Sequence, residues 1–192
     1  MLKQKLKDYN VILASGSPRR QQFFKDLEID FTIQLKEIEE IYPIELKGSG
    51  ITDYLADLKS KAFTELQDKD VLITSDTIVW LEDTAFGKPK DAQEAFDMLR
   101  AMSNKKHEVI TSVSIKGKSF QKIINDITIV TFKELTDLEI QYYINKYKPF
   151  DKAGAYGIQE WIGFIGIQKI EGSYFNVVGL PVHKLYKELM AL

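Results

Sequence analysis

The chain of 192 residues contains no cysteine, which excludes disulfides, thiolate metal sites and cysteine nucleophiles. Its two histidines, His107 and His183, stand far apart with no ligand-type spacing, and neither is assigned a catalytic role. No apolar run approaches the length that spans a bilayer. The start, MLKQKLKDYN, is polar and lacks the apolar stretch of a signal peptide, so a cytoplasmic location is expected. A net charge of −2 is unlike the basic excess of a general nucleic-acid binder, although it leaves room for a locally basic pocket. There is no internal repeat, low-complexity tract or long linker, and one domain over residues 1–192 is expected. The Walker pattern Gly-x4-Gly-Lys-Ser/Thr, the Gly-x-Ser-x-Gly elbow and the Gly-x-Gly-x-x-Gly fingerprint are all missing.

What the chain does have is concentrated first in residues 11–20, Val-Ile-Leu-Ala-Ser-Gly-Ser-Pro-Arg-Arg. The order predicts a strand, a tight turn at Ser15 and Gly16, and a helix capped by Ser17 with Pro18 at its first position. Arg19 and Arg20 then fall in the first helical turn, the positive end of the helix dipole, where cations are disfavoured. Free amides, two serine hydroxyls and two guanidinium groups make this a phosphate cradle.

Downstream, residues 18–28 predict the helix itself and residues 31–35 a short strand. Residues 36–51 predict an irregular acidic loop, followed by a helix capped at Thr52 and running to residue 66 with Leu55, Leu58, Ala62 and Leu66 inward. Residues 71–74 and 78–81 predict two strands, with Ser75, Asp76 and Thr77 between them. Asp91 and Glu94 resemble a capping box opening a helix to about Met102, with Ala95, Phe96, Leu99 and Met102 buried. Residues 109–115 and 123–132 alternate as two strands of a ribbon turning near Gly117. Helices are expected over 136–147 and 181–190, with strands at 164–170 and 174–178 between them. The mixture implies an α/β fold with a mixed sheet and flanking helices.

Chemistry-bearing residues are scattered along this pattern. Asp76 reads as a metal ligand or general base at a strand end, or as an ordinary turn aspartate. Lys88, held between Gly87 and Pro89, suits a point charge on phosphate or an exposed position beside a turn. Lys59 and Lys61 lie on the predicted 52–66 helix, where most lysines are solvated. Glu37, Glu39 and Glu40 form an acidic cluster which, with Asp76, suits a magnesium ion or simply a charged surface loop. The segment 151–159, Asp-Lys-Ala-Gly-Ala-Tyr-Gly-Ile-Gln, offers bare backbone, the cation Lys152 and the Gln159 amide, which suits the edge of a base.

In this order, LASGSPRR (13–20), IEE (38–40), LKSKA (58–62), SDTIV (75–79), GKP (87–89), HEVIT (107–111), DKAGAYGIQ (151–159), IEGSY (170–174) and VVGLP (177–181) resemble the Maf family of nucleoside triphosphate pyrophosphatases, first linked to septum formation. The resemblance covers residues 11–185. It implies an α/β fold similar to inosine triphosphate pyrophosphatases, with a mixed sheet and two lobes around a central cleft. It also implies hydrolysis of a nucleoside triphosphate to the monophosphate and pyrophosphate with a divalent metal, Mg2+ or Mn2+, in a cytoplasmic homodimer.

By the same resemblance Asp76 is the catalytic base and a metal ligand, Glu40 its acidic partner at the metal, and Lys61 and Lys88 are active-site lysines. Ser15, Ser17, Arg19 and Arg20 match triphosphate contacts. Lys152 belongs to the substrate-binding segment, and Thr77, Gln159 and Arg19 match positions that govern substrate choice. Arg19-Arg20, Asp76-Thr77 and Gly154 to Gln159 resemble the branch that prefers dTTP and UTP, with modified uridine triphosphates as further substrates. The alternatives are a pyrophosphatase for a methylated or other noncanonical nucleotide, and a nucleotide-binding regulator of cell division. Two features depart from the pattern that the resemblance implies: Glu160-Trp161 where small residues usually follow Gln159, and Ser75 in place of alanine.

Overall fold

The computed structural model describes residues 1–192. In chain order the elements are α1 (Leu2–Lys5), β1 (Asn10–Leu13), α2 (Pro18–Asp26), β2 (Phe31–Ile33), α3 (Ser49–Lys61), β3 (Asp70–Leu81), β4 (Thr84–Phe86) and α4 (Ala92–Met102). They continue with β5 (Lys106–Lys116), β6 (Gln121–Phe132), α5 (Asp137–Tyr147), α6 (Trp161–Gly166), β7 (Ile167–Glu171), α7 (Tyr174–Val178) and α8 (Val182–Ala191). A seven-stranded sheet runs β2-β1-β3-β5-β6-β7, with β4 paired to β3. Strand β1 is parallel to both β2 and β3, whereas the β3–β4 and β6–β7 pairs are antiparallel. The expected α/β class with a mixed sheet is therefore the observed one.

The chain divides into two compact units. The first comprises Met1–Asp76, Thr111–Asp126 and Gly179–Leu192. Alternation along its strands decides which helix each residue meets. Val11, Leu13, Val71 and Ile73 pack with Phe24, Leu185 and Leu189 of α2 and α8, while Ile12 and Leu72 face Phe63 beyond the end of α3. The second unit comprises Thr77–Ile110 and Ile127–Val178. There Val79, Val109, Val130 and Phe132 of the strands pack on Leu99, Met102, Ile140 and Ile162 of the helices.

Several boundaries differ from the sequence expectation for identifiable reasons. The break expected at residues 75–77 does not occur: β3 runs unbroken and holds Asp76 in its interior. Helix α3 starts at Ser49, so Thr52 is not a cap; fully buried, it bonds back to the Ser49 carbonyl and lies 2.6 Å from the Ser112 hydroxyl. The helix also stops at Lys61, and its buried face is Ile51, Thr52, Leu55, Ala56 and Ser60. Residues 174–178 form a helix despite their strand-like composition. The fully buried Asn176 amide donates to the Val109 carbonyl and the Thr128 hydroxyl, both at 3.0 Å, and these tertiary partners override local preference. Residues 161–166 are likewise helical, because the Glu160 carbonyl accepts from the amides of Gly163 and Phe164. Gly163 permits that turn: a Cβ there would lie 2.0 Å from the Ile158 carbonyl oxygen.

His107, given no catalytic role from sequence, is a core residue of the second unit. Its Nε2 lies 2.8 Å from the Tyr156 hydroxyl, its ring packs edge-on to Phe132 and Tyr156, and its buried Nδ1 has no partner. Burial pushes its pKa from 6.5 down to about 4. The unfolded chain therefore binds the proton first as pH falls. The stability held above pH 6.5 is lost progressively toward pH 4, by about 3 kcal/mol for this group. Urea unfolding at pH 7 and pH 5 should show a steeper loss in the natural chain than in His107→Phe; equal slopes would reject the assignment.

Candidate active site

The first unit gathers polar groups around the last residue it contributes to β3. Asp76 is 6% exposed and sits on the strand face that meets α3. Its Oδ1 accepts a hydrogen bond from Lys59 Nζ at 2.7 Å, and the same ammonium lies 3.1 Å from Glu40 Oε1. Lys59 thus bridges a buried and a half-exposed carboxylate. The other oxygen, Asp76 Oδ2, is buried without any protein partner. An isolated buried carboxylate oxygen is costly, so this atom marks a place where a ligand completes the structure.

Helix α3 is fastened to β3 next to this pair. The buried Thr74 hydroxyl, two residues before Asp76 and on the same strand face, donates to the Ala56 carbonyl at 2.6 Å, three residues before Lys59. The carboxylate and the ammonium are therefore held by one strand–helix contact.

The strand–turn–helix at residues 10–26 forms as expected. Pro18 opens α2 and Ser17 occupies the cap position, although its side chain makes no cap bond; instead its amide donates to Ser15 Oγ at 3.3 Å. Arg20 is held by backbone carbonyls. Its Nε donates to the Gly179 carbonyl at 2.8 Å and its Nη1 to the Ser75 carbonyl at 3.0 Å, with Ser15 Oγ at 3.4 Å. Carbonyl dipoles thus answer the cation that the helix dipole disfavours. Burial pushes the guanidinium down to about 10, Asp76 opposes this, Arg19 adds to it and Glu40 opposes it; Arg20 remains charged at neutral pH. It ties the Ser15 loop, β3 and the turn before α8 together beside the carboxylate. Arg19 is half-buried in the same helical turn.

Lys61 is elsewhere. Its side chain is 68% exposed and ion-paired with Asp57 at 2.6 Å one turn back, which raises its pKa. The lysine at the carboxylate is Lys59, with a side chain 18% exposed. Of the acidic cluster only Glu40 reaches this ammonium; Glu37 and Glu39 are exposed.

The second unit carries the remaining expected residues. Thr77 is half-buried on β3 and Lys88 is exposed. The Gly87 carbonyl accepts from the Gly154 amide at 3.0 Å, joining the Gly-Lys-Pro loop to residues 152–156. The buried Lys152 ammonium is paired with Asp151 at 2.7 Å and Glu160 at 3.1 Å. Gln159 Oε1 is buried without a partner.

A family model described as Maf-like protein matches residues 10–192. The chain belongs to the Maf family. This Maf-family chain is 60% identical over 193 residues to a dTTP/UTP pyrophosphatase of Flavobacterium johnsoniae, covering 100% of each chain. It is 60% identical over 191 residues to a dTTP/UTP pyrophosphatase of Flavobacterium psychrophilum, covering 99% of this chain and 98% of that one. A relative of the same name from Bacteroides fragilis is 46% identical over 186 residues, 96% of either chain. Among solved structures, the fold is similar to the Ham1 protein of Staphylococcus aureus, with 14% identity and a TM-score of 0.51 over 93% of this chain and 99% of that one. A HAM1 protein from Coxiella burnetii has 14% identity and a TM-score of 0.52, over 96% and 100%.

A divalent cation fits the carboxylates of this Maf-family site. No group of three or more potential metal-ligating side chains is present. A magnesium-type ion, however, characteristically takes one or two carboxylates and completes its shell with water and substrate phosphates. The unpartnered Asp76 Oδ2, with Glu40 nearby on the same lysine, is that kind of donor set.

Proposed function

We propose that the chain hydrolyses dTTP and UTP, and modified uridine triphosphates, to the monophosphate and pyrophosphate. The observation that carries this reading is the Asp76 carboxylate, with one oxygen fixed by Lys59 and the other buried and unpartnered. In the proposed reaction Asp76 orients a water and takes up its proton. The water oxygen bonds to the α-phosphorus, the bond to the bridging oxygen breaks, and pyrophosphate leaves with that oxygen. Arg19, Lys59 and the amides opening α2 stabilise the charge on the phosphate oxygens, and Ser15 and Ser17 contribute hydroxyls. Arg20 holds the loop and adds its charge from within.

Asp76 Oδ2 and Glu40 would hold Mg2+ or Mn2+, which when bound neutralises phosphate charge and lowers the pKa of a coordinated water. Gln159 is assigned to the pyrimidine edge, Thr77 to substrate choice, and Lys88 and Lys152 to substrate contacts. A cytoplasmic homodimer completes the reading.

The purified protein is expected to release pyrophosphate from UTP and dTTP in the presence of Mg2+ and to stop when the cation is chelated. In 18O-labelled water the label should enter the monophosphate. Orthophosphate as the direct product, or no release from any triphosphate including 7-methylguanosine triphosphate, would reject the proposal.

A further inference from the structure

We infer that Glu160 is a positioning residue that sets nucleobase preference by clamping the loop of residues 152–160; the inference rests on the reading of Gln159 as the base contact. The loop presents an incomplete surface. The Gln159 side chain makes no hydrogen bond within the protein, and its Oε1 is buried. An amide in that condition needs a ligand donor, and it also needs a reason not to turn over. Uracil and thymine offer an imide N–H at the position where cytosine offers a bare nitrogen. A carbonyl oxygen kept in place accepts from the first and is left facing a second acceptor by the other. An amide free to rotate presents its NH2 to cytosine and discriminates little.

Glu160 restrains this loop at both ends. Its Oε1 lies 3.1 Å from the buried Lys152 ammonium at the start of the loop, and the other partner of that ammonium, Asp151, is mostly exposed. Its Oε2 accepts from the Tyr143 hydroxyl. That hydroxyl in turn accepts from the Gly157 amide at 3.0 Å. The chain from Glu160 through Tyr143 to Gly157 therefore runs from the residue after Gln159 to the residue two before it. The backbone closes the same span, since the Glu160 amide donates to the Gly157 carbonyl at 3.0 Å. Burial, and then the Glu160 carboxylate, push the Tyr143 hydroxyl well above its ordinary value, so it stays protonated and donating.

The fit is close: a Cβ on Gly157 would lie 2.8 Å from the Glu160 carboxyl carbon. Gly154, at φ 66, brings the loop against Val79, where a Cβ would lie 2.6 Å from a valine methyl.

Two variants test the clamp. Glu160→Gln keeps the volume and an acceptor for Tyr143 but removes the charge facing Lys152. Tyr143→Phe removes the relay to Gly157 and leaves that charge. Each is expected to lower the ratio of kcat/KM for UTP to that for CTP about tenfold, the value of one hydrogen bond of ordinary net strength. The change should fall on KM for UTP, with kcat for UTP held within about twofold. A purely structural role would lower activity on both nucleotides alike and leave the ratio intact, which overturns the inference. Amide hydrogen exchange of the ligand-free protein reads the clamp without turnover: Gly157 should exchange about tenfold faster in Tyr143→Phe, which takes away its acceptor. Unchanged Gly157 exchange overturns the clamp even if UTP is hydrolysed. A natural chain that releases no pyrophosphate from UTP rejects the functional reading instead, and nucleobase control by Glu160 with it.

Discussion

Asp76→Asn is expected to lower turnover of UTP about a thousandfold, the scale associated with removal of a positioned general base. The carboxamide matches the carboxylate in shape and still accepts from Lys59 through its oxygen. It neither takes up the proton of an attacking water nor offers an anionic oxygen to a cation. Lys59 keeps Glu40 as its second partner at 3.1 Å, so the substitution leaves no ammonium without an anion. A thermal melt should accordingly move little while kcat collapses. Near-natural turnover by a folded Asp76→Asn protein would remove Asp76 from the mechanism.

The second large effect separates two lysines that stand two positions apart. Lys59→Met should lose activity about a hundredfold and also destabilise the fold by about 3 kcal/mol. It strips the only hydrogen bond found for the buried Asp76 carboxylate, and breaking a buried pair from one side is costly. Lys61→Met should leave kcat within about twofold, because its ammonium is exposed and bound only to Asp57, and exposed i,i+4 pairs contribute little. Steady-state kinetics on both variants, with urea unfolding of each, checks the contrast. The reverse pattern would return the role to Lys61.

The helical repeat already carried the signal that distinguishes these lysines. Ile51, Leu55 and Lys59 recur at four-residue spacing along the buried stripe of α3, whereas Lys61 follows Asp57 on the outside. The Leu-Lys-Ser-Lys-Ala motif names two lysines, and only the phase of the helix says which one faces the sheet. An inward face of Leu55, Leu58, Ala62 and Leu66 misses that phase, because the buried face is Ile51, Thr52, Leu55, Ala56 and Ser60. Asp76 was legible as a candidate for a simpler reason: a carboxylate in an apolar run demands a partner wherever it lies. Its setting was less legible, since a chain break and an unbroken strand share the same composition, and only Lys59 makes the second tolerable.

Local chemistry determined what short-range rules can determine. Ser17-Pro18 set the start of α2, the alternation of residues 109–115 and 123–132 set the ribbon, Asp91 capped α4, and the ordered motifs set the family. Tertiary structure decided what depends on partners distant in sequence. It made a helix of the strand-like residues 174–178 because Asn176 bonds to Val109 and Thr128. It gave Arg20, expected as a triphosphate contact, the further task of tying Ser15, Ser75 and Gly179 together, since a buried guanidinium must satisfy its donors with whatever carbonyls the fold supplies.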